Sequence, residues 1–150
     1  MKPALDLLGR LIGGRPQDAF LYALSGEVKR SRQISLFSEA LEDLERACAL
    51  APGRAWLLGY HAKALAQAGL PEEAALRLNE ALELERESPW LLAERGFLRC
   101  ASGEEPALGD AEAACRADQG SYEARLALAA CLRAAGRHDE ALKACREALL

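Results

Sequence analysis

Valine and isoleucine are almost missing from this chain: one Val and two Ile stand among 150 residues. Strands draw heavily on those two residues, so long strands are not expected. Positive charge is not in excess either. The net charge of -4 and pI near 5.3 disfavour nonspecific attraction to nucleic acid or to an anionic membrane surface. No apolar run approaches the length of a membrane span. The opening "MKPALDLLGRLIGG" is interrupted by Asp6 and no small-residue cleavage site follows, so it reads as a short helix and not a signal peptide. Five cysteines, Cys48, Cys100, Cys115, Cys131 and Cys145, form an odd set with no C-x-x-C pair. That excludes a disulfide framework or a zinc site as the first reading and points to a reducing cytoplasm. All five fall in expected helices among apolar neighbours, where a cysteine acts as a small buried hydrophobe.

Alanine and leucine make up most of the 51% hydrophobic content. Both are strong helix formers. They are also periodic. Ala74, Leu78 and Ala81 in "PEEAALRLNEALELE" define a spacing of four and then three residues. Ala40–Leu44–Ala47, Ala107–Ala111–Ala114 and Ala141–Cys145–Ala148 repeat it. Successive copies lie 34, 33 and 34 residues apart (74 − 40, 107 − 74, 141 − 107). A period in that range marks a stacked array of supersecondary units.

Each of the last three triplets has an upstream partner ending in glycine, while the first repeat fits well only in its second helix. Leu58, Ala62 and Leu65 precede Gly69; Leu92 and Gly96 precede Gly103; Leu128, Ala129 and Leu132 precede Gly136. Each unit is therefore helix, glycine turn, helix, with the glycine as a left-handed cap. Glu72, Glu73 and Asp139 follow the turn, where the next helix's N-terminal dipole favours acids. Small residues on the first helix (Ala62, Gly96, Ala129) are expected to face Ala74, Ala107 and Ala141, because two helices approach closely only where neither has bulk. Four acid–base pairs, Glu42–Arg46, Glu73–Arg77, Glu112–Arg116 and Asp139–Lys143, read as solvated outer faces.

This pattern resembles the tetratricopeptide-repeat family: a small residue in the first helix, a turn glycine, "EEA" or "DEA" after it, then the Ala triplet. The resemblance covers residues 19–150 and implies a right-handed all-α solenoid of about four helix-turn-helix hairpins, near 19–54, 55–88, 89–121 and 122–150. Residues 1–18 would be an N-terminal capping helix or a degenerate half-repeat, since Ala4, Leu8 and Leu11 have the triplet spacing. The first repeat admits two registers. Aligning Phe20 with Trp56 puts Gly26 at the small position, with about two extra residues in the turn near "RQIS". The ungapped register puts Val28 there. The third repeat is one residue short between Gly103 and Ala107, and has Arg99 where the second and fourth have Leu.

No catalytic constellation is present. His61 has no acid one turn away, His138 lies in a turn, and neither has metal-ligand spacing. There is no phosphate-cradling glycine loop and no G-x-S-x-G. The expectation is a non-catalytic protein-interaction module, needing no metal or cofactor, that binds a protein or peptide and neither nucleic acid nor the membrane interior. The resemblance implies that first helices line a concave face. In the ungapped register that face carries Tyr22, Trp56 and Trp90, then Ser25, Gly59 and Ala93, then Lys29, Lys63 and Phe97, then Arg32, Ala66, Cys100 and Arg133. The candidate binding residues are thus Tyr22, Lys29, Arg32, Trp56, Lys63, Trp90 and Phe97: an aromatic column with a basic edge, suited to a segment with apolar anchors and acidic character. The alternative role for Trp56 and Trp90 is to staple helix starts to the preceding repeat. Family members that grip a chaperone's C-terminal carboxylate are not matched, because Ser25, Lys29, Tyr60, Trp90 and Glu94 occupy the corresponding positions. The sequence stops at "DEALKACREALL" with no polar capping helix: either the protein continues beyond it, or the edge formed by Leu142, Ala148, Leu149 and Leu150 meets a partner, a second candidate surface for homo-oligomerisation or docking to a larger assembly. The abundance of Ala, Leu, Arg and Gly hints at a high-GC bacterial genome.

Overall fold

The structure, a computed structural model, describes residues 2–31, 37–104 and 106–148. Among these residues there are helices and no strands. They run α1 (Lys2–Gly14), α2 (Ala19–Arg30), α3 (Phe37–Leu50), α4 (Ala55–Gln67), α5 (Pro71–Leu84), α6 (Pro89–Ser102), α7 (Ala107–Ala117), α8 (Tyr122–Ala134) and α9 (His138–Ala148). The chain divides into two compact units, Met1–Arg77 and Leu78–Leu150, and α5 contributes to both.

Glycine sets the turns. Gly53, Gly69, Gly103 and Gly136 all sit at φ between 73° and 82°, a left-handed conformation that costs any residue with a Cβ. Gly103 caps α6, its N–H returning to the carbonyls of Arg99 and Cys100. Side chains cap the N-termini of α2 and α8. Asp18 accepts from the Phe20 and Leu21 N–H groups on α2, and Ser121 accepts from Ala124 N–H on α8.

In the first unit α2 packs against α3, α4 against both, and α1 against α2. Ala40, Leu44 and Ala47 are fully buried. Gly26 decides the register left open by the sequence. A Cβ there would lie 2.6 Å from Leu44 Cγ and 3.1 Å from the Ala40 carbonyl oxygen. Gly26 is therefore the small position, and Phe20 is in register with Trp56. The extra turn residues this register requires, near "RQIS", lie outside the described residues.

In the second unit α6 pairs with α7 and α8 with α9, and α8 packs on both α6 and α7. Gly96 plays the part of Gly26, less tightly: a Cβ would meet Ala111 N at 3.3 Å and the Ala107 carbonyl oxygen at 3.4 Å. Ala129, Leu132, Ala141 and Ala144 form a core cluster against which Leu108 of α7 and Leu128 pack. The last triplet departs from expectation. Ala141 is buried, but Cys145 is exposed, unlike its counterpart Ala111, which is fully buried. Helix α8 packs against α7, whereas no helix follows α9 among the described residues. Leu149 and Leu150, expected at the same edge, lie outside the described residues. Of the expected outer-face pairs, Glu112–Arg116 comes to 3.9 Å, while Lys143 reaches forward to Glu147 at 4.0 Å.

Candidate functional site

Two hairpins hold an acid between their helices. In the first, Asp43 of α3 accepts from Ser25 Oγ at 2.6 Å and pairs with Lys29 Nζ at 2.7 Å, which also reaches Glu39 at 3.3 Å. Burial opposes the Lys29 ammonium, but the hydrogen bonds and charges of Asp43 and Glu39 outweigh it and hold its pKa above the usual lysine value. In the α6–α7 hairpin, Arg95 binds Asp110 with two bonds, Nε to Oδ2 at 2.9 Å and Nη2 to Oδ1 at 2.8 Å. Arg99 Nη1 adds a third at 2.6 Å, and Arg95 Nη1 also donates to Asn79 Oδ1 at 3.1 Å. The positions correspond: Ser25 and Arg95 directly precede the small glycine, Lys29 and Arg99 lie three residues after it, and Asp43 and Asp110 lie three residues after the first Ala of the triplet. In the α8–α9 hairpin the same positions carry Leu128, Leu132 and Ala144. These clamps stitch hairpins.

Two depressions are better placed to bind. In the first unit the Phe20 and Trp56 rings lie 6.4 Å apart at 60°, and Trp56 meets Tyr60 edge-on at 6.2 Å. Phe20 is 61% exposed. With Arg15, Asp18, Leu50 and Arg54, Phe20 and Trp56 line an open depression of ≈ 630 Å³. In the second unit Phe97 of α6, Leu126, Ala130 and Arg133 of α8, and Leu142 and Cys145 of α9 line a more enclosed, mostly apolar cavity of ≈ 590 Å³. His138 stands at this cavity too. Among the described residues no group of three or more His, Cys, Asp or Glu could hold a metal ion, and no helix is long and apolar enough to cross a membrane.

No protein-family model matches the chain, and no curated protein matches it by sequence. Solved structures do. The thermophilic TPR protein TTC0263 from Thermus thermophilus superposes with a TM-score of 0.85 at 25% identity, over 97% of this chain and 80% of that one. MamA superposes at 0.74 with 20% identity, over 97% of this chain and 85% of its own. YrrB, a TPR protein with an unusual peptide-binding site, superposes at 0.68 with 19% identity, over 99% and 76%. The chain has the tetratricopeptide-repeat fold. The first helices of its hairpins are here α2, α4, α6 and α8.

Within that fold the expected site residues separate. The register set by Gly26 moves the aromatic column of α2 from Tyr22 to Phe20, which meets Trp56. Tyr22 instead packs, with Trp56, against the core cluster of Ala23, Ala47 and Leu57. Trp56 thus staples its helix start and also faces the depression. Lys29 is not part of a basic edge, because its ammonium is turned into the hairpin between Asp43 and Glu39. Ser25, expected beside the column, is buried on the same acid. The residues that share the register of Lys63 and Ala66 are Glu27 and Arg30, and they bind each other at 2.7 and 2.8 Å. The α2 surface is therefore of mixed charge. Arg32 lies outside the described residues. In the second unit Phe97 and Arg133 come together at one cavity, and Trp90 is half-buried at the start of α6. Sequence reasoning missed Leu126 and Ala130, and it assigned Leu142 to the C-terminal edge and not to this cavity. Leu126 and Ala130 had a signal, since they follow the same first-helix spacing as Ala93 and Phe97.

Proposed function

We propose that this chain is a non-catalytic interaction module that takes a peptide or protein segment on its first-helix surface, with the second-unit cavity as the anchor site. The observation that carries the reading is the cavity of ≈ 590 Å³ in which Phe97 and Arg133 meet Leu126, Ala130 and Leu142. An apolar side chain entering it would lose water against Phe97, Leu126 and Leu142, while Arg133 would receive a carboxylate beside it. That YrrB, of the same fold, has a peptide-binding site supports a segment as ligand. Free cysteines throughout the chain support a cytoplasmic setting. The test is capture from native lysate, read by mass spectrometry, with wild type against Leu126→Arg/Ala130→Arg. Leu126 is partly exposed, so the charges fill the cavity and leave the helix intact. Capture should vanish with unchanged far-UV circular dichroism; a folded double variant that captures the same proteins refutes the reading.

A second reading has its own observation. Leu142 is 56% exposed and Cys145 beside it is exposed, on the face of α9 that corresponds to the buried Ala111 face of α7. That edge could join two copies or dock the module on a larger assembly. Sedimentation separates the readings: a concentration-dependent dimer abolished by Leu142→Glu supports the edge, and a monomer at high concentration removes self-association.

A further inference from the structure

The contact between α6 and α8 holds two thiols. Cys100 lies one turn after Gly96 on α6, and Cys131 lies two residues after Ala129 on α8. Helix α8 packs on α6, and each sulfur reaches a backbone carbonyl of the other helix. Cys131 Sγ is 3.6 Å from the Gly96 carbonyl oxygen and 3.6 Å from that of Ala107. Cys100 Sγ is 3.6 Å from the carbonyl oxygen of Ala130, the residue before Cys131. The thiols also act on one another. Burial first, then the charge of Cys100 and a side-chain hydrogen bond with it, push the Cys131 thiol up to about 12. Both cysteines line a small depression of ≈ 230 Å³ that also includes Gly103, Glu104 and Ala134. Cys131 is buried in its floor, and Cys100 is half-exposed.

We propose that Cys100 and Cys131 form an oxidation site, in which a peroxide oxidises Cys100 and Cys131 resolves the product into a disulfide tying α6 to α8. The division of roles follows from position. Cys100 is the less buried of the two, and Cys131 is the neighbour held against it. The Cys100 thiolate attacks one peroxide oxygen, the O–O bond breaks, and the departing hydroxide takes up the proton Cys100 had shed, giving water and a sulfenic acid. Cys131 sulfur then attacks Cys100 sulfur, the S–O bond breaks, and the hydroxide leaves with the Cys131 proton as a second water. The two thiols lose two electrons and the peroxide gains two. Helices α6 and α8 also carry Phe97, Leu126, Ala130 and Arg133, so the bond fixes the pair that lines the anchor cavity. That consequence rests on the binding reading above; the oxidation does not.

The test uses the reduced full chain titrated with hydrogen peroxide. Two of the five thiols should disappear, with a mass loss of two hydrogens and recovery by dithiothreitol. Trypsin leaves Cys100 and Cys115 on one peptide, residues 100–116, so the linkage is mapped in a Cys115→Ser background. Cys131→Ala should stall at a dimedone-trapped sulfenic acid on Cys100. Closing the loop between 100 and 131 should raise Tm by on the order of 10 °C. A first disulfide that uses another cysteine, over-oxidation of Cys100 with Cys131 still a thiol, or no reaction at either overturns the proposal. A disulfide that forms without changing capture of the cavity's partner removes only the link to binding.

Discussion

Asp110→Ala removes the acid that holds Arg95 and Arg99 between α6 and α7. The carboxylate is 9% exposed and accepts three charged hydrogen bonds between 2.6 and 2.9 Å. Breaking a buried ion pair from one side costs about 3–5 kcal/mol, because the remaining charge is left desolvated. Here the two guanidinium side chains retain 22% and 24% exposure, and each has a second partner, Asn79 or Glu104. Partial hydration lowers the cost to about 2–3 kcal/mol. For a chain of this length that is a fall in Tm of about 5–10 °C. The α8–α9 hairpin shows how the same positions are filled without charge, by Leu128, Leu132 and Ala144. Arg95→Leu/Arg99→Leu/Asp110→Ala copies that solution and should return to within about 1 kcal/mol of wild type, or exceed it. Urea unfolding followed by far-UV circular dichroism reads both variants, with an unchanged slope as the condition for comparing them. Arg116→Ala, at an exposed pair 3.9 Å long, is the control and should move stability by less than about 0.5 kcal/mol. The reasoning fails if Asp110→Ala is as stable as the control. It also fails if the triple variant is as unstable as the single one, for then the charges do something that leucine cannot.

The two small glycines should part company. Gly26→Ala drives a Cβ to 2.6 Å from Leu44 Cγ and should cost about 1–3 kcal/mol. Gly96→Ala meets only contacts of 3.3–3.5 Å, and the helix propensity it gains, about 0.8–1 kcal/mol, should leave it near wild type in the same unfolding assay. Asp18→Ala and Ser121→Ala each remove a helix N-cap and should each lower stability by about 1 kcal/mol; an unchanged midpoint in either would show that solvent caps that helix equally well. Alkylation at about pH 8 should label exposed Cys145 first and Cys131 only after unfolding, since burial shields the Cys131 sulfur and pushes its thiol up to about 12. Mass-mapped labelling over time checks the order, and early labelling of Cys131 would contradict its burial.

The helices, the glycine turns and the buried alanines were legible because close helix crossings admit only small residues. That demand recurs with every hairpin, so it stamps a period on the sequence that survives Ala-rich composition. Gly69, Gly103 and Gly136 stand at positive φ where a helix ends, and Gly53 joins them in the turn that leads into α4. The ionic clamps left a fainter mark. Arg99 standing where leucine recurs was visible, but its meaning needed Asp110, eleven residues on, and Asp110 looks like any acid on a helix. Cys100 and Cys131 gave no signal at all, since 31 residues separate them (131 − 100) and only the packing of α8 on α6 brings them together.

The displacement of Tyr22 and Lys29 from the expected column has one geometric origin. At 3.6 residues per turn, a slip of two residues turns an assignment by about 200° around the helix axis. The ungapped alignment therefore put on the expected concave face the residues of α2 that point into its own hairpin, and Tyr22, Ser25 and Lys29 moved together. Inserting the two turn residues corrects all three at once: Phe20 joins Trp56, Ala23 replaces Ser25, and Glu27 replaces Lys29. Lys29 then falls in line with Leu65, Arg99 and Leu132, which is why it behaves as Arg99 does and clamps an acid. In the second unit no such slip separates α6 from α8, and there the first-helix spacing led to residues that share a cavity. A repeat alignment thus identifies a binding face only as well as it counts the turn. The residue that fixes the count in α2 is the buried Gly26, because there a Cβ would strike the facing helix at Leu44 and Ala40.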